Sequence, residues 1–363
     1  MHRGSSVPTV SICLPVYNGE RYLAEAIESV LAQTHRDYEL LISDDLSQDT
    51  SLEVARTYAR YDARVTVWSN PQRLGLFANY NSCMQRATGK YIKLFAQDDL
   101  LAPPMLERCL QALSTEANVA LVSTARLLID EKGQPHEATA QLDPPRLQPG
   151  QEMINRCLSS IRNWIGEPSA VMFPAALMDS GFDTCFFHSG DLEYWLRIVG
   201  HGNYMFLDEP LCSFRQHQGN ATKKNMKSLL FALDMLRLGR IYRQRLAELG
   251  IDEAQHVRQV IDFSAWYLHK LATEEGITCQ DATAVEAVGA DKDRLLTEFR
   301  ELAFYALYHG QESLLEAQAA RLESEYARGQ AEEKLRRVLG SRTWKAAEAL
   351  RKLVGAARHE SVL

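Results

Sequence analysis

Residues 91–99 read YIKLFAQDD and residues 38–45 read YELLISDD, two apolar runs that each end in a pair of acids. A third run, VSICLPVYN at 10–18, closes on Tyr17 and Asn18. Short apolar runs rich in β-branched and aromatic residues read as buried strands. Their acidic ends place carboxylates at the carboxyl edge of a sheet, where open α/β sheets bind ligands. One Asp pair can hold a metal while the other reads a polar ligand, which suits a nucleoside-diphosphate site.

Working outward, strand and helix patterns alternate. Arg21–Gln33 carries Leu23, Ile27, Val30 and Leu31 at helical spacing. Thr50–Tyr61 reads as a helix, Val65–Trp68 as a strand, and Leu76–Ala87 as a helix stopped by Gly89. Pro103 and Pro104 open a helix to about Leu113, and Val119–Leu128 is a strand. The alternation predicts a mostly parallel, doubly wound α/β sheet. Residues 131–150 are polar and Pro-rich, a loop. Beyond them, Gln151–Ser160 and Asp191–Val199 read as helices and Ser169–Phe173 as a strand. From Met226 onward the pattern is helical. The expected organisation is a catalytic domain at 1–222, a helical extension at 223–310 and a charged helical tail at 311–363.

A chain of 363 residues is long enough for a sizeable core. Its net charge of −7 argues against nucleic acid as a partner. No apolar run reaches the ~18 residues of a membrane span, and the first residues show no secretory signal. The seven cysteines are scattered without a CxxC, which predicts reduced core thiols in a cytoplasmic protein. There is no GxGxxG after a strand, no GxxxxGK[ST] and no HExxH.

Each candidate residue has a plain alternative. Asp98 and Asp99 can offer oxygen ligands to Mg²⁺ or Mn²⁺, or cap the helix that follows. Asp44 and Asp45 can accept hydrogen bonds from a nucleobase or ribose, or serve a turn. Tyr17 can stack on a base, or pack in its loop. Asp191, at a helix start, can act as a general base or simply complement the macrodipole. His217, in SFRQHQGN, can meet a metal or diphosphate, or lie solvated.

Together, and in this order, these motifs resemble the inverting nucleotide-sugar glycosyltransferases of family 2, with the GT-A fold: a Rossmann-like, mostly parallel sheet flanked by helices. The matching stretches are PVYNGERYLAEAIESVLAQTHRDYELLISDD, NPQRLGLFANYNSCMQRATGKYIKLFAQDD, GDLEYWLRIVGHG and LDEPLCSFRQHQGNAT, within residues 8–222. The resemblance implies a donor site formed by Pro15, Tyr17, Asn18, Asp44, Asp45, Arg73 and Asp98. It implies Asp99 and His217 at a Mn²⁺ or Mg²⁺ ion and Asp191 as the base. It implies a nucleoside-diphosphate sugar donor, UDP or dTDP rather than GDP. The acceptor is then a glycan or lipid-linked glycan of a surface polysaccharide or lipopolysaccharide. Two departures stand out: Leu46 occupies a position where relatives often carry Gly, and Gln97 one where Asp or Ser is commoner. The Gln-x-x-Arg-Trp element of processive synthases is absent, so one sugar per encounter is expected.

Residues 334–358 carry eight Lys or Arg against the single acid Glu348, with Trp344, Ala347, Leu350, Leu353 and Val354 at helical spacing. Such a helix can lie on the cytoplasmic face of a membrane, or pack or oligomerise with a second copy. The heptad spacing at Leu315, Ala319, Leu322 and Tyr326 is interrupted by Gly329 and Glu333. Two rivals remain: a non-catalytic nucleotide-sugar-binding scaffold, against which Asp191 and His217 argue, and a sugar nucleotidyltransferase, whose Gly-rich loop is missing.

Overall fold

Strand Val10–Val16 (β1) is buried at every residue and pairs in parallel with two neighbours, Tyr38–Asp44 (β2) and Tyr91–Leu94 (β4). In the computed structural model, which describes residues 7–135, 147–217, 219, 230–253, 255–260 and 263, these strands lie within a nine-stranded sheet. The remaining strands are Val65–Ser69 (β3), Leu100–Leu101 (β5), Val119–Ile129 (β6), Leu147–Pro149 (β7), Val171–Pro174 (β8) and Asn203–Arg215 (β9). The order is β3-β2-β1-β4-β8-β6-β9-β5, with β7 also paired to β9. The β3-β2-β1-β4 and β6-β9 pairings are parallel; β8 is antiparallel to both β4 and β6.

Register explains why the chemistry collects at one edge. Val16 of β1 faces Asp44 of β2, and Asp44 faces Ser69 of β3. The chain therefore leaves β1 and β2 at one level, delivering Tyr17 and Asp45 side by side. Helix Leu23–Leu31 (α1) covers the sheet with Leu23, Ala26, Ile27 and Val30, all buried on one stripe. Each fully buried side chain of Leu or Ile size contributes about 1.5–3 kcal/mol. Helices Ser51–Tyr61 (α2), Leu76–Met84 (α3), Met105–Thr115 (α4), Gly150–Ser160 (α5) and Gly190–Val199 (α6) complete this unit, which ends at Asn220. The second unit begins at Ala221, and its described part includes helices Leu230–Ile241 and Arg243–Glu248. The expected heptad and basic-helix segments lie outside the described residues.

The structure corrects several expectations. β9, thirteen residues long, does not read as a strand in sequence because Asp208, Glu209 and Pro210 interrupt it. Pro210 is accommodated opposite Ala125, where the β6–β9 register shifts on both sides; irregular pairing of this kind tolerates a missing N–H. Gly89 is no helix stop, since α3 ends at Met84. It is needed because the chain passes against β1, where an added Cβ would come within 2.6 Å of the Ser11 amide nitrogen. Of the cysteines, Cys13, Cys83, Cys109, Cys157 and Cys212 are buried free thiols and Cys185 is half-buried; Cys279 lies outside the described residues.

A lysine is buried in the sheet. Lys93 of β4 is completely buried, and its Nζ donates to the carbonyls of Ser169 and Val171. Burial pushes its pKa down from 10.5 to about 8. Between those values the unfolded chain binds more protons than the folded one, so this group makes stability rise with pH and disfavours folding below the window. The rise is on the order of 3 kcal/mol. Urea unfolding from pH 7 to 11 should show it in the wild type and lose it in Lys93→Met; equal profiles would contradict a buried Lys93.

Candidate active site

The loop after β1 is laced to the loop after β2. The Asn18 amide donates to Ser47 Oγ (3.0 Å), and Asn18 Oδ1 accepts from the Gln48 amide (2.8 Å). The Glu20 amide donates to Asp49, while Glu20 accepts from the amide and hydroxyl of Thr50. The crossing requires left-handed backbone at Asn18 (φ 48°) and Leu46 (φ 58°). Leu46 thus takes the conformation that a Gly would adopt without strain, so the turn survives the substitution at a local cost.

Asp44 and Asp45 are both buried and play different parts. Asp45 accepts from Asn70 Nδ2 and from the Leu74 and Gly75 amides. It therefore pins the loop that carries Arg73 to the end of β2. The Arg73 guanidinium in turn sits 3.9 Å from the Tyr17 ring centroid, a cation–π contact. Asp44 accepts from Ser69 Oγ through Oδ2, while its buried Oδ1 has no partner among the described residues. Pro15 is buried in β1 opposite Ser43. Gln97, unassigned on sequence grounds, clamps Tyr17 from both sides: Oε1 accepts from the Tyr17 amide (2.9 Å) and Nε2 donates to its carbonyl (3.0 Å). Gly19 leaves the room, since a Cβ there would meet Gln97 Oε1 at 2.5 Å.

The second acid pair is organised by Arg215, which is 1% exposed. Its amide donates to Asp99 Oδ1 (2.9 Å), its Nε to the Asp98 carbonyl (2.8 Å), and its Nη2 to Glu25 (2.8 Å). Its guanidinium also lies 4.5 Å from the Tyr22 ring centroid. Asp98 Oδ2 faces His217 Nε2 at 2.8 Å. The Gly219 amide donates to His217 Nδ1, which puts the neutral ring's proton on Nε2, toward Asp98. Asp99 Oδ2 is buried and meets no donor in bonding geometry among the described residues. Burial raises the Asp99 carboxyl well above its ordinary pKa, and the Asp98 charge adds to this. Neither acid caps α4, whose N-cap is Pro104.

No three His, Cys, Asp or Glu side chains among the described residues are grouped as a metal shell. Asp99 and His217 therefore make no complete cage by themselves. The buried, unpartnered Asp99 oxygen nevertheless fits a hard divalent cation, which commonly takes one or two carboxylates and draws its other ligands from phosphate and water.

Asp191 opens α6, which is anchored by a buried aromatic cluster: Phe182 packs on Tyr194 (4.6 Å) and Trp195 (5.9 Å). Asn163 Nδ2 donates to Asp191 Oδ2 (3.2 Å), while Asn163 Oδ1 accepts the amides of Ile165 and Gly166. Trp195 Nε1 donates to the Gly166 carbonyl. The loop through Asn163 thus fixes the carboxylate, and Ser169 at its far end accepts from the Ala96 amide beside the Asp98–Asp99 turn. Sequence reasoning missed Gln97, Asn163 and Arg215 as organisers. Of these, Gln97 stood out only as a departure from the family pattern, and Arg215 lay unremarked within SFRQHQGN.

The fold is of the GT-A type. Residues 11–169 match the model of Glycosyl transferase family 2. EpsE of Bacillus subtilis (strain 168), named as a glycosyltransferase, is 39% identical over 130 residues, 36% of this chain and 47% of EpsE. TuaG of the same organism, named for teichuronic acid biosynthesis, is 30% identical over 128 residues, 35% of this chain and 50% of TuaG. The chain thus spans about half the length of each of these relatives. The crystal structure of S. aureus TarS 1-349 matches with a TM-score of 0.52 at 14% identity, covering 81% of this chain and 80% of that one, a likeness of fold. Over residues 11–169 the chain is thus similar to glycosyl transferase family 2. No helix among the described residues is long and apolar enough to cross a membrane.

Arg215→Ala should destabilise the protein by about 3–5 kcal/mol in urea unfolding, because it strips a buried cation from its carbonyl and carboxylate partners. Glu25→Gln, which keeps an acceptor oxygen at the 56% exposed end of the same pair, should cost less than Arg215→Ala. Equal effects would contradict Arg215 as the organiser.

Proposed function

We propose that this protein transfers one sugar, with inversion, from a UDP or dTDP sugar to a hydroxyl of a glycan or lipid-linked acceptor in cell-surface polysaccharide or lipopolysaccharide assembly. The observation that supports the reading best is the buried Asp99 carboxylate at the carboxyl edge of the sheet: Oδ1 is held by the Arg215 amide, the Ser169 hydroxyl lies nearby, and Oδ2 meets no donor in bonding geometry among the described residues. In this reading the Tyr17 ring, held by Gln97 and Arg73, meets the nucleobase. Asn18 lines the same rim. Asp45 keeps the Arg73 loop in place, and the spare Asp44 oxygen accepts a donor N–H or hydroxyl. Asp98, steadied by His217, faces the ribose or diphosphate. Asp99, with His217 alongside, would hold Mn²⁺ or Mg²⁺, which supplies positive charge against the leaving diphosphate.

Asp191 is the base. Asn163 turns its carboxylate so that an acceptor hydroxyl can surrender its proton as the oxygen attacks the anomeric carbon. One displacement inverts the configuration, so an α-linked donor yields a β product. The work is cytoplasmic in this reading, and the basic segment 334–358 would hold the enzyme to the membrane's inner face. Asp191→Asn should lower turnover by about 10²–10⁴-fold and leave nucleotide affinity within a factor of a few. Near wild-type turnover would remove Asp191 from this role, and a retained anomer in the product, read by NMR, would rule out single displacement.

A further inference from the structure

The loop that fixes Asp191 also builds something the donor site does not use. Helix α5 ends at Ile161, a buried β-branched residue in left-handed conformation (φ 52°). Such a conformation is strained for Ile and persists only where its surroundings impose it. It folds the chain back, so that the half-buried indole of Trp164 donates through Nε1 to Ser160 Oγ (2.7 Å), which itself donates to the Arg156 carbonyl (2.6 Å). Two guanidiniums are thereby brought to one ring. Arg156 lies 4.1 Å and Arg162 5.1 Å from the Trp164 centroid. Sharing one centroid, the two cations stand within about 10 Å of each other, one Debye length at ordinary ionic strength.

Neither guanidinium forms an ion pair among the described residues, whereas Arg126, the cation across the same loop, is paired with Glu167 at 2.8 Å. Two like charges gathered on an aromatic ring and left unneutralised make an anion site. Guanidiniums match phosphate oxygens with paired donors, and a phosphate carries charge enough to answer both. A neutral sugar stacking on the indole would have to share it with two cations. Trp164 adjoins Asn163, whose amide holds Asp191 (3.2 Å). Tyr17, Arg73, Asp98 and Asp99 belong to the donor edge instead.

From this juxtaposition, and resting on the transferase reading above, we infer that Arg156, Arg162 and Trp164 bind a phosphate group carried by the acceptor, so that the enzyme selects phosphate-bearing acceptors. The test is isothermal titration of the full chain with glucose 1-phosphate, with methyl glucoside and glucuronate as neutral and carboxylate controls. Wild type should bind glucose 1-phosphate more weakly as salt rises, and better than either control. Arg162→Gln, at an exposed position that should not disturb folding, and Arg156→Gln should each weaken binding about tenfold or more. Binding unchanged by both variants would mean that phosphate lodges at the donor edge and would overturn the proposal. So would absence of binding in the wild type, or equal affinity for glucuronate. Binding to phosphatidylglycerol vesicles that depends on Arg162, without binding of the soluble phosphate, would assign the pair to lipid headgroups and also overturn it. A nucleoside-diphosphate thermal shift, measured in parallel, separates the two readings: if it persists while phosphate binding fails, only the acceptor proposal falls.

Discussion

A single buried guanidinium holds the working edge of this protein together. Arg215 sits at the last residue of β9 and touches the Asp98–Asp99 turn, α1 and the end of β6 within one side chain's reach. An unpaired buried cation would cost several kcal/mol, so its partners are constrained as tightly as it is. Glu25 meets it from α1, the Asp98 carbonyl from the turn, and the carbonyls of Asp130 and Glu131 from the loop after β6. Because β9 pairs in parallel with β6, the two strands end together, and Ile129 stands opposite Arg215. The acid pair is thus fastened to two parts of the sheet far apart in sequence.

The same economy appears at the other end of the edge. Asp45 spends its oxygens on the loop bearing Arg73, and Arg73 spends its charge on the Tyr17 face. Gln97 links the halves: it belongs to the segment after β4 yet holds the backbone of Tyr17 after β1. A shift at the Asp98–Asp99 turn would therefore be felt at Tyr17. Asp44 and Asp99 are the exceptions, each with one buried oxygen not answered by the described protein. Buried polar atoms of this kind need an explanation, such as a water, an ion or a ligand.

Most of the sheet was readable from periodicity, because β1, β2 and β4 are continuous apolar runs and α1 keeps its apolar stripe. The acids were readable for the same reason: a strand that ends in Asp-Asp places its carboxylates by register alone. β9 was not, since its Asp208-Glu209-Pro210 interruption is compatible with a strand only where β6 supplies an irregular partner. Gln97 and Asn163 were hidden for a different reason. Their roles lie in hydrogen bonds to backbone and side chains 80 and 28 residues away, which spacing does not encode. Leu46 is the opposite case, a residue with a Cβ that takes the left-handed conformation favoured by glycine.

The central claim is that the Asp99 edge receives a cation together with a nucleoside diphosphate. It is tested most directly by thermal shift of the full chain against UDP, dTDP, GDP and CMP, each with and without Mn²⁺, in the wild type and in Asp99→Ala. A ligand that binds only the folded state raises the apparent stability by mass action. The account predicts a shift with UDP or dTDP that requires Mn²⁺ and disappears in Asp99→Ala. A shift with no nucleotide in folded protein, or one indifferent to both Mn²⁺ and Asp99, would contradict it.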